Sequence, residues 1–119
     1  MPNDARLVDL QFYPVSEGQP VRVRAIVGAG MAGGTSISYK GQVQEVGTDG
    51  SATVGAPGGN LRHSVIHCIT TVKDINPASD KTVVTYILSG GPDEAMFSYE
   101  LDVNTSGGYA RYLIDFALV

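Results

Sequence analysis

The chain has a single cysteine, Cys68, and no tryptophan among its 119 residues. One thiol excludes an intrachain disulfide and a cysteine-ligated zinc site built within one chain, so packing must hold the fold unaided. Cations are also few: eight Lys and Arg stand against twelve Asp and Glu, a formal net charge of −4, and the basic residues are scattered. Phosphate binding needs clustered cations that displace counterions, so no nucleic-acid partner is expected. No run of 18 apolar residues occurs, and "MPNDARLVDL" lacks the basic and apolar regions of a signal peptide. Neither a membrane span nor a signal is therefore expected. Localisation stays open, with the cytoplasm as the default unless a signal has been removed. Finally, no window repeats apolar residues at i, i+3, i+4 and i+7 over three turns without crossing Gly or Pro, which excludes a long helix.

What is present is period two. In "RLVDLQFY" the residues Val8, Leu10 and Phe12 share one face and Asp9 and Gln11 the other, and "VRVRAIV" repeats the pattern with Arg22 and Arg24 outward. An antiparallel hairpin with opposed numbers summing to 33 sets Phe12 against Val21, Leu10 against Val23, and Asp9 against Arg24. Further strands are expected at Thr35 to Tyr39, Gln42 to Val46, Ser51 to Val54, Leu61 to about Ile75, Lys81 to Leu88, Met96 to Val103 and Tyr109 to Val119. The segments between them ("KG", "GTDG", "GAPGGN", "NPASD", "SGGPDEA", "NTSGG") are rich in residues that take positive φ or cap turns. Seven to eight short antiparallel strands in one domain spanning 1–119 predict an all-β sandwich, immunoglobulin-like or jelly-roll in topology, with a small barrel as the rival.

The glycines in "VRVRAIVGAGMAGG" imitate a dinucleotide fingerprint, which works only where a helix amino terminus follows and presents N–H groups to a pyrophosphate. Here "GTSISYKG" follows, and the expected acid 20 residues on falls in a turn (Asp49) or a strand (Glu45). The segment is better understood as a flexible loop. Its Gly28, Gly30, Met31 and Gly33 form a candidate ligand loop, since loops at a sandwich end are where binding surfaces are built.

No catalytic or metal site stands out. His63 and His67 are four apart, a separation of about 13 Å along a strand, and cannot hold one ion together. "KDINPASDK" offers Asp74, Asn76 and Asp80 but misses the Gly and Glu of a calcium loop (Ser79 and Thr85 instead), and Asp93 and Glu94 belong to a loop at the opposite end. No Gly-x-Ser-x-Gly elbow occurs; Glu100 and Asp102 share a strand face but have the look of solvated carboxylates. Tyr13, Tyr39 and Tyr109 are the aromatics available for a sugar platform, and Asn104-Thr105-Ser106 is a formal glycosylation acceptor.

Apolar residues on both faces of one expected hairpin are more informative. A register summing to 155 between Leu61 to Ile75 and Lys81 to Leu88 makes Ile66, Cys68, Val72, Val83 and Ile87 an outer apolar face that needs cover, with Leu113, Tyr109 and Val119 raising the same question on the last strand. These five residues are the candidate interface. The expected function is a non-catalytic binding or interaction module, without cofactor or metal, that meets a protein partner or another copy of itself. The alternative is a small-ligand or carbohydrate binder, calcium-assisted in one version, that uses the glycine-rich loops.

Overall fold

A computed structural model describes residues 5–28, 31–75, 80–103 and 108–119. Nine strands form among them: β1 (Ala5–Tyr13), β2 (Val21–Val27), β3 (Ala32–Tyr39), β4 (Gln42–Val43), β5 (Ser51–Val54), β6 (Val65–Lys73), β7 (Lys81–Ser89), β8 (Ala95–Asp102) and β9 (Tyr109–Leu118). They build a five-stranded sheet, β1-β9-β6-β3-β4, and a four-stranded sheet, β5-β2-β7-β8. The two pack face to face around one core, as the alternating pattern requires, because each sheet has one apolar face to bury.

Every strand pair is antiparallel except one: β1 runs parallel to β9, with nine consecutive partners from Ala5↔Ala110 to Tyr13↔Leu118. This overturns the expected β1–β2 hairpin. The two strands sit in different sheets, β2 pairing with β5 and β7. "PVSEGQP" is thus a crossing between layers, fixed by Val15, which is buried and whose N–H donates to the Val119 carbonyl at 3.2 Å. The 155 register fails for the same reason, since β6 pairs with β3 and β9 while β7 lies in the other sheet. Leu61 to Ser64 is not strand: Leu61 is buried and His63 takes φ 67°, so the chain turns before β6. β3 starts earlier than expected, absorbing Gly33 and Gly34, and β4 is only two residues long.

An aromatic cluster joins the two sheets within the core. Phe116 of β9 meets Tyr86 of β7 and Phe97 of β8 with ring centroids 5.6 and 5.3 Å apart, and Tyr86 meets Tyr99 edge-on at 6.1 Å, geometries that suit the ring quadrupole. The buried hydroxyls find partners, as burial demands. Tyr86 Oη lies 2.5 Å from Thr70 Oγ1, itself 2.9 Å from Thr35 Oγ1; Tyr112 Oη lies 2.6 Å from Thr82 Oγ1. Tyr13, 1% exposed, donates to the Asp93 carbonyl at 2.7 Å and accepts from the Gly91 N–H at 3.0 Å, tying β1 to the turn before β8.

Candidate functional site

Side chains alternate across a strand, so the burial of Tyr13 decides the rest of β1. Leu7, Asp9 and Gln11 must turn toward β8, and Val8, Leu10 and Phe12 must turn to solvent, where they are 70%, 51% and 63% exposed. The inward polar side is satisfied locally: the Tyr99 hydroxyl donates to Asp9 at 2.8 Å and the Gln11 amide does likewise at 2.8 Å. Those two hydrogen bonds hold the Asp9 carboxyl below its ordinary value. β1 is therefore an edge strand with its polarity inverted, apolar side out.

The strand registers extend this across the outer face of the five-stranded sheet. Val8 of β1 neighbours Leu113 of β9, which neighbours Ile69 of β6, 43% exposed, and then Ser36 of β3. One step along, Leu10, Asp115, His67 and Ser38 lie in a row. The next row is Phe12, Ala117 and Val65. Hydrophobicity thus peaks at the β1 edge and gives way to hydroxyls at β3. At one end of the face Arg6 and Arg111 are direct neighbours, and Lys73 lies 6.0 Å from the ring centroid of Tyr109.

Ser38, His67 and Asp115 are ordered like a nucleophile, base and orienting acid, and His67 Nδ1 lies 2.7 Å from Asp115 Oδ1. Two parts of the chemistry are missing. No hydrogen bond joins the Ser38 hydroxyl to His67 among the described residues, and the row lies on a solvated sheet face, with His67 52% and Asp115 44% exposed at the side chain. A developing oxyanion there faces water rather than preorganised donors. The arrangement fits a cross-strand surface pair worth roughly 0.2–1 kcal/mol.

The expected interface is reassigned. Ile66, Cys68 and Val72 are 0%, 1% and 0% exposed and belong to the core, because β6 presents His67, Ile69 and Lys73 outward instead. Burial pushes the Cys68 thiol up to about 12, with the Asp115 charge adding to the effect, so it is not a ready nucleophile. Val83 and Ile87 do face outward, half-buried, but on the four-stranded sheet, away from β6.

The expected ligand loop is split. Gly28 donates to the Val83 carbonyl at 2.9 Å, Met31 is buried in the core, Gly33 is part of β3, and Gly30 lies outside the described residues. Gly33 does line a cleft of about 490 Å³ with Arg24, Val27, Thr35, Thr48 and Asp49. A Cβ on Gly33 would come within 2.9 Å of the Thr71 carbonyl and 3.0 Å of Val27, so glycine there lets β3 approach β2. Of the charges in the cleft, Asp49 is ion-paired with neighbouring Arg22 at 2.5 Å, and Arg24 Nε donates to the Asp49 carbonyl at 3.1 Å.

Other sequence candidates do not converge. Among the described residues no three His, Cys, Asp or Glu come together to hold a metal ion. Asp74 is buried, Asn76 and the Asn104 to Ser106 acceptor lie outside the described residues, and His63 is exposed in a turn. Glu100 lies 3.6 Å from Lys81, and Asp102 is exposed. Of the tyrosines, Tyr13 is core, Tyr39 donates to Ser64 at 3.3 Å, and Tyr109 is 42% exposed beside Lys73. No helix is long and apolar enough to cross a membrane among the described residues.

Comparison with protein-family models, with curated proteins and with solved structures finds no match. Fold and geometry therefore define this chain at the level of class: an all-β, two-sheet sandwich whose most unusual surface is an apolar-out edge strand.

Proposed function

We propose that the chain is a non-catalytic β-sandwich module that binds protein through the outer face of its five-stranded sheet, at the β1 edge. The observation that carries this is the exposure of Val8, Leu10 and Phe12 side by side on β1, continued by Leu113 and Ile69. Single exposed apolar residues are ordinary, whereas a contiguous patch on a sheet face, rimmed here by Arg6, Arg111 and His67, marks a contact surface. No part of this depends on an immunoglobulin-like or jelly-roll topology.

The test is site-specific photocrosslinking. A benzophenone side chain at Leu10 should give covalent protein adducts with the pure protein or in extract of the source cells, and one at exposed Thr53 on the other sheet should not. Equal yields at both positions, or none at either, overturn the proposal. Acceleration of ester hydrolysis that disappears in Ser38→Ala would instead move the protein among enzymes.

A second reading has one specific support. The cleft beside Gly33 has the volume of a small-molecule site and polar walls at Thr35 and Thr48. Ligand binding there, with or without calcium, predicts a thermal shift with a sugar panel that Gly34→Trp abolishes by filling the open space beside Gly34. An unchanged midpoint across the panel removes it.

A further inference from the structure

We infer that the occupant of the β1 edge is a second copy of this chain, joined by antiparallel β1–β1 pairing about a two-fold axis at Leu10. The dimer rests on the proposed interaction role of this face and adds the partner and the register.

The free edges of the molecule are unequal. One flank ends in β4 and β5, two and four residues long, and short edges template little pairing. The other ends in β1 and β8, nine and eight residues long and in contact with each other. β8 carries Glu100 and Asp102 on its exposed side, the charge that natural edges use against pairing. β1 has no Lys, no Pro and no interruption in its nine-residue pairing with β9. Its two charges are Arg6, near one end, and Asp9, held on the inner side by Tyr99 and Gln11, so β1 is the less protected of the two long edges.

Backbone direction restricts how it can pair. The Tyr13 carbonyl accepts from the Val119 N–H at 3.0 Å, so the odd residues of β1 turn their backbone groups toward β9. The even residues Arg6, Val8, Leu10 and Phe12 then present N–H and C=O to the open edge, and the same four carry the outward side chains. Antiparallel pairing of two copies must match even with even, leaving registers whose paired numbers sum to 16, 18, 20 or 22.

Side chains choose among them. A sum of 18 puts Asp9 opposite Asp9 in the closely spaced, non-hydrogen-bonded position, two carboxylates face to face. A sum of 16 sets Arg6 against Leu10 and Asp9 against Leu7 and leaves Phe12 without a cross-strand partner in β1, and a sum of 22 overlaps only residues 9–13 and leaves Val8 without one. A sum of 20 sets Val8 against Phe12 twice and Leu10 against Leu10, and it sets each Asp9 against a neutral donor, Gln11. Arg6 then lies diagonal to Phe12 of the second copy, within reach of its ring. Of the four registers this one alone pairs all three outward apolar residues of each copy with apolar partners, with Arg6 opposite Pro14 at the end of the ladder.

The area is modest. In this register residues 7–13 of the two copies overlap, and seven residues at about 3.3 Å each give an edge of about 23 Å. With the smallest dimension of the molecule 22 Å, the flank offers about 500 Å² per copy, or about 1,000 Å² in all, the size of a weak, reversible interface. Leu7, Phe97, Tyr99 and Leu101, only partly buried at this flank, gain cover as well.

The experiment uses single introduced cysteines in purified protein under mild oxidation, with sedimentation to count copies. Native Cys68 is 1% exposed and stays silent. Leu10→Cys should give a disulfide-linked dimer, since paired Cα atoms about 5.5 Å apart suit the bond, whereas Val8→Cys and Phe12→Cys should not, because each is about 13 Å from its own equivalent. Leu10→Lys should sediment as a monomer with an unchanged circular dichroism spectrum. A dimer that crosslinks best through Val8 or Phe12 overturns the register. A monomer at all concentrations up to about 1 mM overturns the second copy, and the Leu10 photoadducts in extract then decide separately whether the face binds another protein.

Discussion

Cys68 shows how much one parity choice decides. Around it the even positions carry Ile66, Thr70 and Val72 and the odd ones Val65, His67, Ile69 and Thr71, so apolar and polar residues are mixed on both faces; the structure buries Cys68 and leaves Ile69 at the surface. Burial raises the thiol from 9.0 to about 12, so the folded state holds that proton more tightly than the unfolded chain. Its contribution to stability is therefore complete below pH 9 and withdrawn as pH climbs from 9 toward 12. Tyr99, also raised to about 12 but from 10.0, adds to the loss only above pH 10. Urea midpoints should fall between pH 9 and 10 in the native protein and fall less steeply in Cys68→Ala; equal slopes would place the thiol in water. Two glycines give a second contrast at this scale. Gly50 sits at φ +81°, and a Cβ there would lie 2.5 Å from the Ala25 carbonyl oxygen, which cannot retreat because Ala25 and Gly50 are hydrogen-bonded at 2.9 Å. Gly50→Ala should cost at least about 1–2 kcal/mol from its left-handed backbone alone. Gly34→Ala, with nothing within 4 Å, should stay within about 0.5 kcal/mol of the native protein, both read from urea midpoints.

At the scale of elements, the strands were legible and their partners were not. Alternation and turn chemistry located the long strands to within a few residues, because both are local properties of the chain. The inward side of β1 is fixed by a distant event, the capture of the Tyr13 hydroxyl by Asp93 and Gly91, about eighty residues away. Val8, Leu10 and Phe12 therefore pointed the wrong way on hydrophobicity alone, and the Asp9–Arg24 pair of the expected hairpin gave way to Asp9–Tyr99. The Ser38, His67 and Asp115 row was hidden for the same reason, since it exists only through the registers of β3, β6 and β9. Tyr99→Phe tests this coupling between β1 and β8. Asp9, lowered chiefly by Tyr99, contributes stability that is present above its ordinary value of 3.8 and lost as pH falls below it. The variant should lose about 1 kcal/mol at neutral pH, and the Asp9 carboxyl resonance should titrate nearer 3.8; an unmoved titration would sever the link.

For the whole molecule, the parallel β1–β9 pair brings the first and last strands together and leaves the first on the outside. An edge strand that turns carboxylate and amide inward while offering valine, leucine and phenylalanine to water is a poor design for a lone domain, because exposed edges with apolar faces invite association. It is a sound design for one that meets another surface. Association that favours the folded form must then appear in stability itself: at a protomer concentration a hundred times the dissociation constant, the gain is about 2.7 kcal/mol, several degrees in a domain of this size. The thermal midpoint of the native protein should accordingly climb with protein concentration, whereas that of Leu10→Lys should stay level. Parallel climbs in both proteins would move the contact away from β1, and a level midpoint in the native protein up to about 1 mM would leave the edge without a second copy to cover it.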